Sequence, residues 1–270
     1  MFSSQVFINP LDDLPEEEGP LGLFFSSPEK GNEDIPIGLH LSSPLLSDSL
    51  FLRHLSTEPA QDSSFRDAQI YFPDLPDQET DTLYWHVQQP GMPFAQFCKE
   101  QAPQADSSLL ESIVSQLCEM VHILHLHEAA NMPITPQMLR IQSDGTPMLL
   151  MLPINEAWEL NPTARQAIFP TLFSAPEIEN QYSMLSPSYT YNVALLTALL
   201  NGFMPDEEAS MEEMLAGLQT WIKAMPESAL KTVLQQSLQA DCQARPYCPM
   251  KFHKSLCGSQ PYECKNCRAH

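Results

Sequence analysis

The hydrophobic pattern of this chain changes near residue 108, and that change limits the folds open to it. Before this point, apolar residues form short islands at 21–25, 35–41, 68–72 and 82–87, which predict strands. After it, apolar residues recur every three or four positions, first in residues 108–128, as in amphipathic helices. A mixed first third followed by a helical remainder predicts an α+β protein with two lobes.

Later segments extend the helical part of the pattern. A turn signal at Asp144-Gly145 precedes an apolar run at 148–152, which predicts a further strand. Residues 191–200 are apolar on nearly every side, as expected of a central buried helix. Other helices are expected at 47–57, 211–222 and 230–238.

Charge restricts the partners that this chain can attract. Its 270 residues include 34 acidic and 13 basic side chains, for a formal net charge of -21. A field of that sign repels nucleic acid and anionic membranes, so we expect neither as a partner, whereas a basic protein would be attracted.

The 25 prolines and 9 glycines argue against glycine-rich phosphate-binding loops.

The expected compartment is the cytoplasm. The start of the sequence lacks a basic region followed by a long apolar run, and no stretch reaches the roughly 18 apolar residues of a membrane span. The seven cysteines are an odd number and do not suggest a disulfide framework. Secretion by a route that needs no cleaved signal stays open as an alternative.

Several short motifs occur in an informative order. The most specific are Ala175-Pro176-Glu177 and Arg245-Pro246, which stand about seventy residues apart. The other segments are 50–53, 82–87, 126–128, 135–139, 143–150 and 199–202. Each motif is common alone, but their order and separation resemble the eukaryotic-type serine/threonine protein kinases over residues 21–256.

The resemblance implies an α+β, bilobal, protein kinase-like fold with a reduced N-lobe sheet and a mainly helical C-lobe. It also implies that Glu177 and Arg245 form a buried ion pair in the C-lobe. Breaking such a pair typically costs about 3–5 kcal/mol, because the remaining charge is left buried and unpaired. The implied divisions are an acidic, flexible terminus at 1–20, an N-lobe at 21–89, a C-lobe at 90–256 and a Cys-rich tail at 257–270.

The positions that the resemblance matches to phosphoryl-transfer groups hold other side chains. Gly38 stands in place of the strand lysine, His54 in place of the helix glutamate, and Pro133 in place of the catalytic-loop aspartate. Met138 and Met151 replace the metal-binding asparagine and aspartate. Mg²⁺ prefers hard oxygen ligands, which a thioether does not offer. We therefore expect neither ATP nor Mg²⁺ as a cofactor.

These substitutions predict that the chain is not an enzyme. The expected function is that of a pseudokinase that serves as a protein-binding scaffold or allosteric regulator, with a basic protein or a true kinase as partner. One alternative is an atypical serine/threonine phosphotransferase with relocated catalytic residues. Another is a zinc-stabilised interaction module unrelated to kinases.

The zinc alternative depends on the Cys-rich tail. Cys264 and Cys267 form a C-x₂-C knuckle, and Cys257 and His270 complete a set of four ligands of the type that tetrahedral zinc prefers. A tail with free thiols is the competing interpretation of the same residues.

Overall fold

In a computed structural model, the protein combines two small sheets with a mainly helical second half. The α+β class expected from the hydrophobic pattern is confirmed. The structure describes residues 17–19, 22–26, 35–47, 63–73, 82–127, 132–152, 173–179, 185–206 and 210–257.

The first sheet is antiparallel and lies in the N-terminal part of the chain. Its strands follow the order β1, β2, β3, β5, with β1 at Glu17–Gly19, β2 at Gly22–Ser26, β3 at Ile35–Leu41 and β5 at Thr82–Val87. Side chains along a strand alternate between the two faces, and in β5 the buried and exposed residues alternate from Leu83 onward. One face of this sheet therefore packs on the main hydrophobic core.

The second sheet joins the two parts of the chain. It follows the order β4, β8, β7, β6, with β4 at Ile70–Tyr71, β6 at Met92–Pro93, β7 at Leu139–Ile141 and β8 at Pro147–Leu150. β4 runs parallel to β8, and the other pairs are antiparallel. All four residues of β8 are buried, so this sheet lies inside the molecule.

Eight α-helices are described. The longest, α4 (Ser107–Leu126), begins at Asp106, whose side chain accepts a hydrogen bond from the Leu109 amide. The central helix α5 (Ser186–Leu200) is buried along almost its whole length and contacts α4, α7 and α8. The others are α1 (Ser43–Leu46), α2 (Ser63–Asp67), α3 (Phe94–Glu100), α6 (Met211–Ala224), α7 (Ala229–Ser237) and α8 (Pro249–Cys257).

Short 3-10 turns connect several of these helices and strands. They span Ala102–Gln104, Pro136–Met138, Pro176–Glu179 and Cys242–Ala244.

By length and composition, α4 is the described helix that is apolar enough to cross a membrane, with a mean hydropathy of 1.2. Buried core helices pass the same test. In this structure α4 packs against α5 and α8, and Ile113, Leu117 and Leu124 are among its buried side chains.

Most of the expected elements are present. The strands predicted at 35–41 and 82–87 match β3 and β5 residue for residue, and the other predicted strands and helices in the described part shift by a few residues. β1 places a strand inside the terminal segment that was expected to be flexible. The helix predicted at 47–57 lies almost wholly outside the described residues.

Candidate functional site

The candidate site lies where the two sheets meet. The Trp85 indole nitrogen on β5 donates a hydrogen bond to the Tyr71 carbonyl on β4, at 3.2 Å. The same carbonyl accepts a hydrogen bond from the Met151 amide, at 2.8 Å. One carbonyl therefore joins the first sheet to the chain that follows β8, which carries one of the predicted site positions.

Gly38 lies on the face of β3 that is turned away from the main core. Its neighbours Ile37 and Leu39 belong to that core, so residue 38 points the opposite way. A Cβ atom at Gly38 would stand 2.1 Å from Cζ of Phe25, which is paired with Gly38 across the strands. A longer side chain at residue 38 would require the Phe25 ring to move. The match of Gly38 to the strand lysine stays a prediction.

The other described site positions are buried and apolar. Met138 is 0% exposed and Met151 is 1% exposed, and both belong to the main hydrophobic core. Pro133 is also buried, just before the 3-10 turn that ends at Met138. His54 lies outside the described residues. The arrangement at Met138 and Met151 suits packing, and thioether sulfur is a poor ligand for Mg²⁺.

Asn192 is a site residue that the sequence reasoning missed. It is 0% exposed on α5, and its side-chain oxygen accepts a hydrogen bond from the Ile134 amide at 3.0 Å. Its side-chain nitrogen donates to the carbonyls of Ile134, at 2.8 Å, and Phe173, at 3.2 Å. Asn192 therefore holds two distant chain segments, one of them next to Pro133. The available signal was an amide inside the apolar run at 191–200.

Glu177 and Arg245 lie together in the helical half. Two hydrogen bonds join the guanidinium and the carboxylate, at 2.7 and 2.8 Å. The Arg245 side chain is 0% exposed and the Glu177 side chain 10% exposed. Arg245 also donates to the backbone carbonyls of Gln239 and Ala240. This geometry satisfies the buried charge on both sides of the pair.

Two further residues complete this ion-pair network. The Ser188 hydroxyl donates to Glu177 at 2.7 Å, and the Arg245 guanidinium lies 4.9 Å from the centre of the Tyr191 ring. Burial by itself would raise the pKa of Glu177, but the hydrogen bonds from Arg245 and Ser188 outweigh it and lower that pKa. Burial raises the pKa of Tyr191 to about 12.

The zinc candidates are only partly described. Cys257 ends α8 and lies 3.3 Å from the His253 ring nitrogen Nε2. Cys264, Cys267 and His270 lie outside the described residues. Within the described ranges, no three or more acidic, His or Cys side chains converge in a way that could hold a metal ion. The zinc set stays a prediction, which metal analysis of the purified protein tests.

A cavity of about 230 Å³ with a mixed polar and apolar lining opens between α2 and α4. Its lining includes the carboxylates of Asp67 and Glu119 and the amides of Gln69 and Gln116. Gln69 also adopts a positive φ of 58° and accepts a hydrogen bond from the Gln142 amide. The electrostatics of this cavity favour cationic groups over anionic ones.

Comparisons with known proteins bear on the fold. No protein-family model matches the chain, and no curated protein matches it. Among solved structures, it is similar to the kinase domain of Mycobacterium tuberculosis PknI, in a double-mutant form, with a TM-score of 0.60. The two sequences are 15% identical, and the match covers 89% of this chain and 91% of the other. The protein kinase-like fold is therefore confirmed.

This similarity also corrects one prediction. The chain was expected not to be an enzyme, because individual matched positions hold apolar residues. That prediction is wrong on this comparison, because a solved structure that shares the fold is a kinase domain.

Proposed function

We propose that this chain uses a protein kinase-like fold to bind another protein, as a scaffold or allosteric regulator. The observation that carries the proposal is the contrast between the retained ion-pair network of Glu177 and Arg245 and the buried thioethers of Met138 and Met151. The ion-pair network stabilises the helical half. The thioethers place apolar packing groups at two positions that the resemblance matches to metal ligands, which favours use of the fold as a binding surface.

The charge of the chain suggests the chemistry of the partner. A net charge of -21 attracts a basic protein over long range and accelerates its association at low salt. A true kinase is the second partner class that the resemblance suggests. The proposed location of the chain is the cytoplasm.

Affinity capture with the tagged full chain, followed by quantitative mass spectrometry, tests partner binding. We expect a reproducible protein partner, enriched over a tag-only control and released as salt rises if the partner is basic. A deletion of residues 1–45 would remove β1, β2 and β3, so a deletion of residues 1–16 is the better truncation. Failure to enrich any protein in repeated captures would count against the scaffold role.

Phosphoryl transfer with relocated catalytic residues is a second candidate, favoured by the similarity to a kinase domain. Binding of ATP with Mg²⁺ to the native state would raise the melting temperature by mass action. An increase of several degrees, together with transfer of the γ-phosphate to a protein acceptor, would establish this activity. An unchanged melting temperature at millimolar ATP would argue for protein binding alone.

A further inference from the structure

Only four residues, 88–91, connect the first sheet to the second, and we call them the connector. It follows β5 and leads directly into β6. On β6, Met92 pairs with Ile141 and Pro93 pairs with Arg140, both on β7. The connector is therefore short and ends in a hydrogen-bonded ladder.

Arg140 binds this connector from the side of β7. Its side chain is buried, with the residue 3% exposed, and its Nη1 atom donates to the carbonyls of Gly91, at 3.3 Å, and Pro90, at 3.5 Å. Both distances lie beyond the usual range of about 2.7–3.2 Å, so each bond is weak by itself even with a charged donor. Both bonds start from the same nitrogen and reach adjacent carbonyls of the connector. One side chain thus restrains two consecutive residues of the connector.

Gly91 brings the connector backbone into direct contact with β7. It adopts a φ of +63°, and a Cβ atom there would lie 2.7 Å from the Ile141 carbonyl oxygen. A residue with a side chain would be strained at this φ and would push the two backbones apart. The glycine therefore permits an approach that other residues prevent.

The strand that enters the connector is also anchored. Trp85, three residues before Gln88, donates to the Tyr71 carbonyl of the second sheet at 3.2 Å. Residues on both sides of the connector are thus bound to the same sheet. A hinge needs a few residues that are free to change φ and ψ.

We propose that Arg140 and Gly91 lock this connector, so that the two sheets keep one relative orientation instead of rotating about residues 88–91. A protein locked in this way presents a preformed interlobe surface, which lowers the ordering cost of binding to it. The lock depends neither on phosphoryl transfer nor on the identity of a partner.

Hydrogen exchange, measured by mass spectrometry on the full chain, tests the lock. The lock should limit local opening, so in the wild-type protein we expect peptides covering residues 88–97 to exchange more slowly than unprotected chain. Arg140→Met keeps an apolar stem but removes the donors, and should accelerate exchange in 88–97 by roughly tenfold or more. Peptides from α6 and α7 should not change. Arg66→Met, on α2, is the matched control for loss of one arginine and should leave 88–97 unchanged.

Two further variants keep the test decisive if Arg140→Met does not fold. Arg140→Lys retains the charge with fewer donors and should give an intermediate rate. Gly91→Ala leaves Arg140 in place but forces the backbones apart, and should also accelerate exchange in 88–97. The lock is refuted if wild-type 88–97 exchanges at the rate of unprotected chain. It is equally refuted if the folded variants match the wild type.

Discussion

The ion-pair network of the helical half and the buried methionines near the sheets differ in the groups that they bury. The network buries charged side chains, and the methionines bury apolar ones. In the network, Arg245 is fully buried but binds both oxygens of Glu177 and two backbone carbonyls. Near the sheets, Met138 and Met151 are equally buried, but their thioether sulfurs are only weak hydrogen-bond acceptors.

The difference shows what each region requires. A buried charge is tolerated only where the surrounding groups satisfy it, because desolvation costs several kcal/mol for an unpaired ion. The network meets that condition and joins the 3-10 turn at Pro176–Glu179 to the chain that follows α7. Met138 and Met151 contribute contact area to one continuous core. Polar groups are thus concentrated where they hold chain segments together.

Substitution of Met151 by Asp should cause the largest loss of stability, because it places a polar group in the apolar region. The change removes a buried apolar side chain, which costs about 2–5 kcal/mol by itself, and adds the desolvation of a carboxyl group. The new carboxyl would have a raised pKa in the folded state. Destabilisation should therefore grow as pH rises through the unfolded pKa of about 3.9 and towards the folded value. Urea unfolding at pH 5 and pH 8 measures both effects.

Met151→Leu is the matched control, and it should cost less than about 1.5 kcal/mol because volume and polarity are nearly kept. If Met151→Asp were as stable as Met151→Leu, a polar group would be satisfied at this position. The contrast between the two regions would then be lost.

Loss of Arg245 should have the next largest effect. Arg245→Ala leaves the Glu177 carboxylate without its main partner, and we expect a loss of about 3–5 kcal/mol. Thermal unfolding should show a decrease in Tm on the order of 10 °C. Arg66→Ala, on α2, is the control and should change stability by less than about 0.5 kcal/mol. Similar Tm values for the two variants would mean that the network contributes little to stability.

Asn192→Ala should be milder, because it removes a neutral group. It leaves the Ile134 amide and the carbonyls of Ile134 and Phe173 without their side-chain partner, at a cost of about 1–3 kcal/mol for each group that finds no replacement. Asn192→Asp keeps the shape but places a carboxyl group against the carbonyls of Ile134 and Phe173, so its stability should fall further as pH rises and the buried group ionises. Chemical denaturation orders the variants, and equal stability of Asn192→Ala and wild type would contradict the anchoring role.

The sequence was informative where local pattern determines structure. An apolar island predicted β5, and helical spacing predicted α4, because each pattern reports which side chains are buried. The short helix α3 and the two-residue strand β6 were missed, since segments of that length carry almost no periodicity. Asn192 and Arg140 were missed for another reason. Their partners are backbone groups 58 and about 50 residues away, and no motif records such contacts.

The smallest predicted effect concerns pH and tests whether Glu177 acts as a charged member of the network. Its folded pKa is lowered, so its stabilising contribution is complete above the unfolded pKa of about 4.5 and declines as pH falls through the folded value. Glu177→Gln does not titrate, and the wild type should therefore lose stability relative to it below about pH 4.5, by at most about 1.4 kcal/mol per pH unit. Urea midpoints of both proteins between pH 3 and pH 7 measure this difference. A constant difference across that range would mean that the folded and unfolded carboxyls titrate alike, and that Arg245 is held by its backbone acceptors more than by charge.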